Sequence, residues 1–312
     1  MMLLKQVMEL FDVLDRPDAS GEKISELFKS KGAKHVEVHT LSQGEGATDA
    51  VKVIIPGKNG KMNGGTAPTM GVIGRLGGLG ARPEVTGFVS DGDGALTALT
   101  VALKLTEMQA YGDQLEGDVI VCTHVDPDAP TTEHDPVPFM GSCIDMDLMN
   151  QYEVDERMEA ILSIDTTKGN KIFNHRGFSI TPTIKEGYIL KVSEDLADIM
   201  ATTTGELAKV FPVSLQDITP YGNDVYHVNS ILQPATSTSA PVVGVAITTQ
   251  SSVAGCATGA SHPVDVEEAA RFALEVAKMY TGGKCLFYDE KEYAHLLSLY
   301  GDLKQFQTLG CK

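Results

Sequence analysis

A histidine and two aspartates at alternate positions follow an apolar stretch in the middle of the chain. His124, Asp126 and Asp128 come just after the β-branched run Val119 to Cys122. Imidazole and carboxylate groups bind zinc or manganese, and a carboxylate can take a proton from metal-bound water. In open α/β sheets, ligands bind outside the carboxyl ends of strands. These residue types predict a metal-dependent site here, and the alternative is a solvated acidic loop.

The four polar residues from His124 to His134 can form a metal site of their own. Pro127 favours an extended backbone at Asp126, and an extended segment places His124, Asp126 and Asp128 on one side. His134 can complete the set if the intervening loop returns it. The alternative is that these side chains only cap neighbouring helices and turns.

Two more acids occupy comparable positions. Asp91 opens a predicted helix that runs to about Tyr111, and Asp165 ends the predicted strand Ile161 to Ile164. A carboxylate at a helix N-terminus interacts favourably with the helix dipole, so capping is the alternative for Asp91. Strands that end in carboxylates are typical of a metal or acid/base site in a parallel sheet.

The elements that must position these residues alternate between helix and strand, which predicts an α/β fold with a largely parallel or mixed sheet. A Gly-, Asn- and Lys-rich segment at 56–68 predicts a mobile surface loop, and we expect one domain over residues 1–312. The predicted helices are Leu3 to Leu14, Glu22 to Ser30, Asp91 to Tyr111, Asp195 to Val210 and Val264 to Tyr280; the clearest strands are Val36 to Leu41, Ala50 to Ile55, Val119 to Cys122, Ile161 to Ile164 and Val242 to Ile247.

Composition restricts the classes of partner. The formal net charge of −17 argues against a nucleic-acid or anionic-membrane surface, so small molecules, peptides or cations are the expected partners. The odd number of scattered cysteines predicts reduced thiols, and no apolar run is long enough to span a bilayer. We therefore expect a cytoplasmic protein, and we also expect it to form a homo-oligomer.

The order of these signals resembles the co-catalytic zinc exopeptidases of the glutamyl-aminopeptidase and tetrahedral-aminopeptidase type. The matching stretches are Ser20-Gly21-Glu22, Asp91-Gly92-Asp93-Gly94, Asp126-Pro127, Ile164-Asp165-Thr166-Thr167 and Gly222-Asn223-Asp224. The resemblance implies a three-layer α/β sandwich with a central mixed, largely parallel sheet. It implies an aminopeptidase-like, metal-dependent hydrolase of a peptide or amide bond. In that assignment Asp91 and Asp165 are metal ligands and Asp126 is the catalytic base.

The chain departs from the family's pattern at several places. Arg75 stands where the family has a ligand histidine, the paired glutamates have become Asp126-Pro127, and the last ligand histidine is displaced to His262. The family's inserted dimerisation domain is missing, because too few residues separate Arg75 from Asp91.

These departures support an alternative function, in which an altered descendant binds a small amino-acid-like or peptide ligand in the same cleft. Arg75 would either repel a metal or clamp a carboxylate, and we expect it to pair with at least one of the acids Asp91, Asp126 and Asp165. Asp224 and His227 are further candidates for substrate binding. A third hypothesis makes Cys256 a nucleophile with His262 as its base, against the alternative of an ordinary buried or loop thiol.

Overall fold

The structure, a computed structural model, describes residues 2–75, 87–133, 139–167, 172–213, 230–251 and 260–307. Its helices are α1 (Leu4–Leu14), α2 (Gly21–Ser30), α3 (Asp93–Ala110), α4 (Met146–Glu153), α5 (Glu194–Thr204), α6 (Pro263–Thr281) and α7 (Glu290–Tyr300). Its strands are β1 (His35–Gln43), β2 (Gly46–Ile55), β3 (Met70–Gly74), β4 (Val119–Val125), β5 (Thr131–Thr132), β6 (Phe139–Met140), β7 (Ala160–Thr166), β8 (Gly177–Ile180), β9 (Ile184–Lys185), β10 (Tyr188–Ile189) and β11 (Val242–Thr248).

One mixed sheet forms the centre of the fold, which confirms the predicted α/β class. Within the described residues its strand order is β1-β2-β4-β3-β7-β11-β9-β10, with β8 also paired to β11. The four central strands β4, β3, β7 and β11 are parallel to one another. The outer strands, including the β1–β2 hairpin, pair antiparallel. Parallel strands that are buried on both faces need apolar side chains on both faces, and β4 and β7 are buried along their whole length.

Each face of the sheet packs against its own apolar cluster. The first face carries Val72, Val121 and Leu162, and helices α1, α2, α3, α5 and α6 cover it. The second face carries Ile73 and Ile161, together with residues of a 3₁₀ turn at 230–236. Helix α4 also lies on the second face, against β2 and β4. Because side chains alternate along a strand, residue parity decides which of these two environments each side chain meets.

The boundaries predicted from periodicity agree for most helices and differ in three places. Helix α5 ends at Thr204, because Gly205 adopts φ +76° and closes it, so the predicted continuation to Val210 is wrong. Helices α4 and α7 were not predicted from the sequence. Across the described helices, none combines the length and the apolar character that a membrane crossing requires.

The Gly- and Asn-rich segment at 56–68 is tied to the start of β4 by one buried carboxylate. Asp118 is 1% exposed. Its Oδ1 accepts from the backbone N–H of Gly57 at 2.8 Å, and its Oδ2 accepts from that of Met62 at 2.9 Å. The two bonds satisfy backbone donors that the loop itself leaves unpaired. Two residues of this segment, for which the sequence predicts a mobile loop, are therefore hydrogen-bonded to the residue that precedes β4.

Replacing Asp118 with asparagine should lower the free energy of unfolding by about 1–3 kcal/mol, because an amide can accept only one of the two bonds and leaves a buried donor unsatisfied. Chemical denaturation followed by circular dichroism measures the change. Asp113→Asn, at an exposed position in the same connection, is the matched control. Equal effects of the two substitutions would contradict the anchoring role of Asp118.

Candidate functional site

The strand order creates a topological switch point between β3 and β7. The chain leaves β3 through α3 to reach β4 on one flank, and it leaves β4 through α4 to reach β7 on the other flank of β3. Helices α3 and α4 lie on opposite faces of the sheet. From the carboxyl end of β3 the chain goes to β4 on one flank, and from that of β7 it goes on to β8 and β11 on the other flank, so the connections that leave these two neighbouring strands diverge. In open α/β sheets, ligands bind in the crevice that such a divergence leaves.

The N-terminus of α3 lies directly on this switch point. A Cβ atom added to Gly94 would come within 2.6 Å of the Ile164 carbonyl oxygen and 2.7 Å of the Arg75 carbonyl oxygen, so only glycine allows this approach. The hydroxyl of Thr166 donates to the Ser90 carbonyl at 2.6 Å, which joins the end of β7 to the turn before α3. Asp91 therefore lies in a turn that is fixed to the carboxyl end of β7.

Three of the candidate side chains form a row across the second face of the sheet. The register pairs Ile73 with Cys122 and Gly74 with Ile164. Continuing it places Arg75 between His124 on β4 and Asp165 on β7, and neighbouring strands are about 4.8 Å apart. The backbone N–H of Arg75 donates to the Ile164 carbonyl at 2.8 Å, which continues the ladder to this row.

Glu153 at the end of α4 accepts from two members of the row. Arg75 Nη1 donates to Glu153 Oε2 at 2.7 Å, and His124 Nδ1 lies 2.7 Å from Glu153 Oε1. Arg75 Nη1 also donates to Asn150 Oδ1 at 3.1 Å, and the three charged or ionisable side chains are at most 2% exposed. We expected Arg75 to pair with Asp91, Asp126 or Asp165. That expectation is wrong, because the carboxylate of α4 takes this place.

The expected extended segment from His124 to Asp128 is also wrong. The chain turns at residues 127–128, where the backbone N–H of Ala129 donates to the Asp126 carbonyl at 3.4 Å. Asp126 is buried, whereas Asp128 is exposed. The turn therefore breaks the alternation that would have aligned the three side chains. His124 contacts Glu153 instead of sharing a ligand set with Asp128.

The carboxylate of Asp126 accepts two hydrogen bonds from a cysteine. Cys143 donates from its backbone N–H to Oδ2 at 3.1 Å and from Sγ to Oδ1 at 3.2 Å. Burial raises the pKa of Asp126 above its ordinary value, although the two Cys143 bonds and the nearby His124 oppose the shift. Burial and the facing Asp126 carboxylate raise the pKa of the Cys143 thiol to about 12. The thiol is therefore a hydrogen-bond donor here and not an activated nucleophile.

The remaining candidates divide between the switch point and residues outside the described ranges. Asp91 and Asp165 are each 1% exposed at the carboxyl edge of the sheet. His262 is the exposed residue that precedes α6, and its neighbour Ser261 donates to Asp93 Oδ1 at 2.5 Å. This bond brings the start of α6 to the start of α3. His134, Asp224, His227 and Cys256 lie outside the described residues.

A metal centre does not fit the donors in the described part of the chain. No group of three or more His, Cys, Asp or Glu side chains there is arranged to hold an ion. A guanidinium also lies between the histidine and the aspartate of the row, and a fixed cation opposes a divalent ion at the same place. The described residues thus do not complete a metal ligand set at the switch point.

Sequence reasoning missed the residues that organise the second face: Glu153, Asn150, Cys143, Ser163 and Gln233. A signal for α4 did exist. Asp145 precedes the helix and its side chain accepts from the Leu148 N–H at 2.8 Å, which is a standard N-cap. The helix has only eight residues, however, so its periodicity is short. No sequence pattern would have paired Glu153 with residues 75 and 124.

Replacing Glu153 with glutamine should lower the free energy of unfolding by about 3–5 kcal/mol, because the change leaves the buried Arg75 charge without its carboxylate. Denaturant unfolding monitored by fluorescence or circular dichroism measures the loss. Glu156→Gln, three residues later and exposed, controls for the substitution. A loss no larger than that of the control would show that the buried pair does not stabilise the fold.

Asp126→Asn should change the pH dependence of stability. Because the folded-state pKa of Asp126 is raised, its favourable contribution is present below the unfolded pKa and is lost as pH rises through the folded pKa. The asparagine variant should therefore gain in thermal midpoint relative to wild type between about pH 4 and neutrality. Calorimetric scans across this range test it, with Asp113→Asn as the exposed control. A difference that is constant with pH would contradict the raised pKa.

Comparison with known proteins assigns the family. A family model described as "Protein of unknown function (DUF1177)" matches residues 39–310, a span that contains every candidate residue. No curated protein matches the chain. The family description names no activity, so the resemblance to zinc exopeptidases stays a prediction. Since the match covers most of its length, the chain belongs to the DUF1177 family of proteins of unknown function.

Proposed function

We propose that this protein binds a small amino-acid-like or peptide ligand at the switch point between β3 and β7. The observation that carries the proposal is the position of Asp91 and Asp165. Both are buried at the carboxyl edge, where the two diverging connections and the N-terminus of α3 meet. A crevice with buried carboxylates at this place is suited to an ammonium group.

The charge of the chain supports a cationic group on the ligand. The formal net charge is −17, and a field of that sign raises the local concentration of cations and repels anions. On the second face the buried guanidinium of Arg75 is paired with Glu153, with 2.7 Å between Nη1 and Oε2. Asp91 and Asp165 place acidic side chains at the carboxyl edge, which favours an amine over a phosphate or a sulfate.

Metal-dependent hydrolysis of a peptide or amide bond is the second candidate. One observation favours it: the Ser261–Asp93 bond of 2.5 Å brings the segment that carries His262 to the turn that carries Asp91. Zinc or manganese would be the metal, and Asp91, Asp165 and His262 are the candidate ligands, although these three side chains are not arranged as a set in the described structure. Because the described donors do not form a complete ligand set, this activity ranks below ligand binding.

Isothermal titration calorimetry with the standard amino acids and a panel of dipeptides tests the proposal. At least one should bind, and Asp91→Asn and Asp165→Asn should each weaken that binding by about tenfold or more, since a hydrogen bond to a charged group contributes about 1.5–3 kcal/mol. Asp113→Asn is the control and should bind as the wild type does. Absence of binding at millimolar ligand would overturn the proposal.

Elemental analysis of protein purified without chelators or added metal separates the two candidates. Ligand binding alone predicts substoichiometric zinc and manganese in the wild type and in both aspartate variants. One equivalent of either metal in the wild type, lost in Asp91→Asn and Asp165→Asn, would favour the hydrolase.

A further inference from the structure

Several buried polar atoms without hydrogen-bond partners lie on the second face, next to the proposed site. Within the described part of the chain, no hydrogen-bond partner is present for Arg75 Nε, for Ser163 Oγ or for either amide atom of Gln233. The three residues are at most 2% exposed. A buried polar group without a partner costs about 1–3 kcal/mol, so several together in one place need a physical reason.

Hydrogen bonds and strand register show that the three residues are neighbours. Asn150 joins two of them, because its Oδ1 accepts from Arg75 Nη1 at 3.1 Å and its Nδ2 donates to the Gln233 carbonyl at 3.4 Å. Ser163 lies on β7 in register with Ile73, two residues before Arg75 on β3. The 3₁₀ turn that carries Gln233 packs on β7 and β11.

The chemistry of these atoms favours an acceptor with two oxygens. Arg75 Nε and the amide nitrogen of Gln233 can only donate, and the Ser163 hydroxyl can also donate. Glu153 accepts from the other side of the guanidinium and leaves Nε for a second partner. A carboxylate accepts from several donors at once, and bonds between charged groups are the strong ones.

The dimensions agree with one small zwitterion. Ser163 and Asp165 are two residues apart on the same side of β7, about 6–7 Å along the strand, and Arg75 is one strand away from Asp165, about 4.8 Å. An α-amino acid carries its ammonium and its carboxylate within that span. The acids of the switch point and the donors of the second face can therefore contact opposite ends of one molecule.

We propose that Arg75, Ser163 and Gln233 receive the carboxylate of a free α-amino acid whose ammonium group is held by Asp91 and Asp165. This inference rests on the proposed function and names its ligand class. Peptides blocked at the carboxyl end, amino-acid amides and simple amines would lack the group that these donors recognise.

The test compares each standard amino acid with its α-carboxamide by calorimetry, in wild type and in Gln233→Met and Ser163→Ala. The wild type should prefer the best-binding acid over its amide by about tenfold or more. Both variants should lose most of that preference, because they weaken binding of the acid more than binding of the amide. Because both substitutions remove buried unpaired polar atoms, the thermal midpoints should be unchanged or higher. Gln151→Met, at an exposed position on α4, is the matched control.

The outcomes separate this inference from the proposed function. Equal affinity of the wild type for acid and amide would overturn the carboxylate assignment and leave amine binding in place. Variants that retain the preference would overturn it as well. Gln233→Met could also lower the thermal midpoint by the amount of a lost hydrogen bond and leave the preference for the acid over the amide unchanged. That result would assign ordered water as the partner of the Gln233 amide and would contradict the inference. Binding of neither acid nor amide would overturn the inference, and it would contradict the proposed function itself if no dipeptide binds either.

Discussion

The guanidinium of Arg75 is buried at the end of β3 and needs a carboxylate beside it. This requirement fixes where α4 ends on the second face of the sheet. Arg75 is 1% exposed, and Glu153 at the end of α4 lies 2.7 Å from its Nη1. Removing one member of such a pair leaves an uncompensated charge in the interior, which costs more than the pair contributes. Helix α4 must therefore end where it does. The same glutamate contacts His124, so β3, β4 and α4 are held in one arrangement.

This arrangement also accounts for the character of the proposed site. Glu153 accepts from Nη1 of Arg75, which leaves the Nε of Arg75 for another hydrogen-bond partner. Next to Arg75 lies the switch point between β3 and β7, where α3 begins because Gly94 permits a close approach to Ile164. A guanidinium next to a carboxylate is better suited to a zwitterionic organic molecule than to a divalent ion. Asp165 and the Glu153-paired Arg75 are adjacent members of the row across the second face.

Local periodicity in the sequence predicts most of the helices and strands. It does not predict contacts between residues that are far apart in the chain. Apolar runs located β4, β7 and β11, and the acids Asp126 and Asp165 at the ends of β4 and β7 lie at the carboxyl edge. The predicted extended segment from His124 to Asp128 failed because the chain turns at 127–128, after Asp126, which is the residue whose backbone Pro127 restricts. Strand order is not encoded locally, so the placement of Arg75 between His124 and Asp165 could not be derived. Its partner Glu153 lies on a helix too short for periodicity to reveal.

Amide hydrogen exchange with and without ligand tests the central claim, that the β3–β7 switch point is the binding site. The protein would be saturated with its best-binding amino acid, and exchange would be followed by mass spectrometry of peptides. Protection should appear in peptides that contain residues 90–94 and 163–166, and in the turn at 230–236, because these segments meet at the proposed site. Protection confined to another surface, such as the groove between α5 and α6 lined by Asp198, Thr202 and Arg271, would contradict the account.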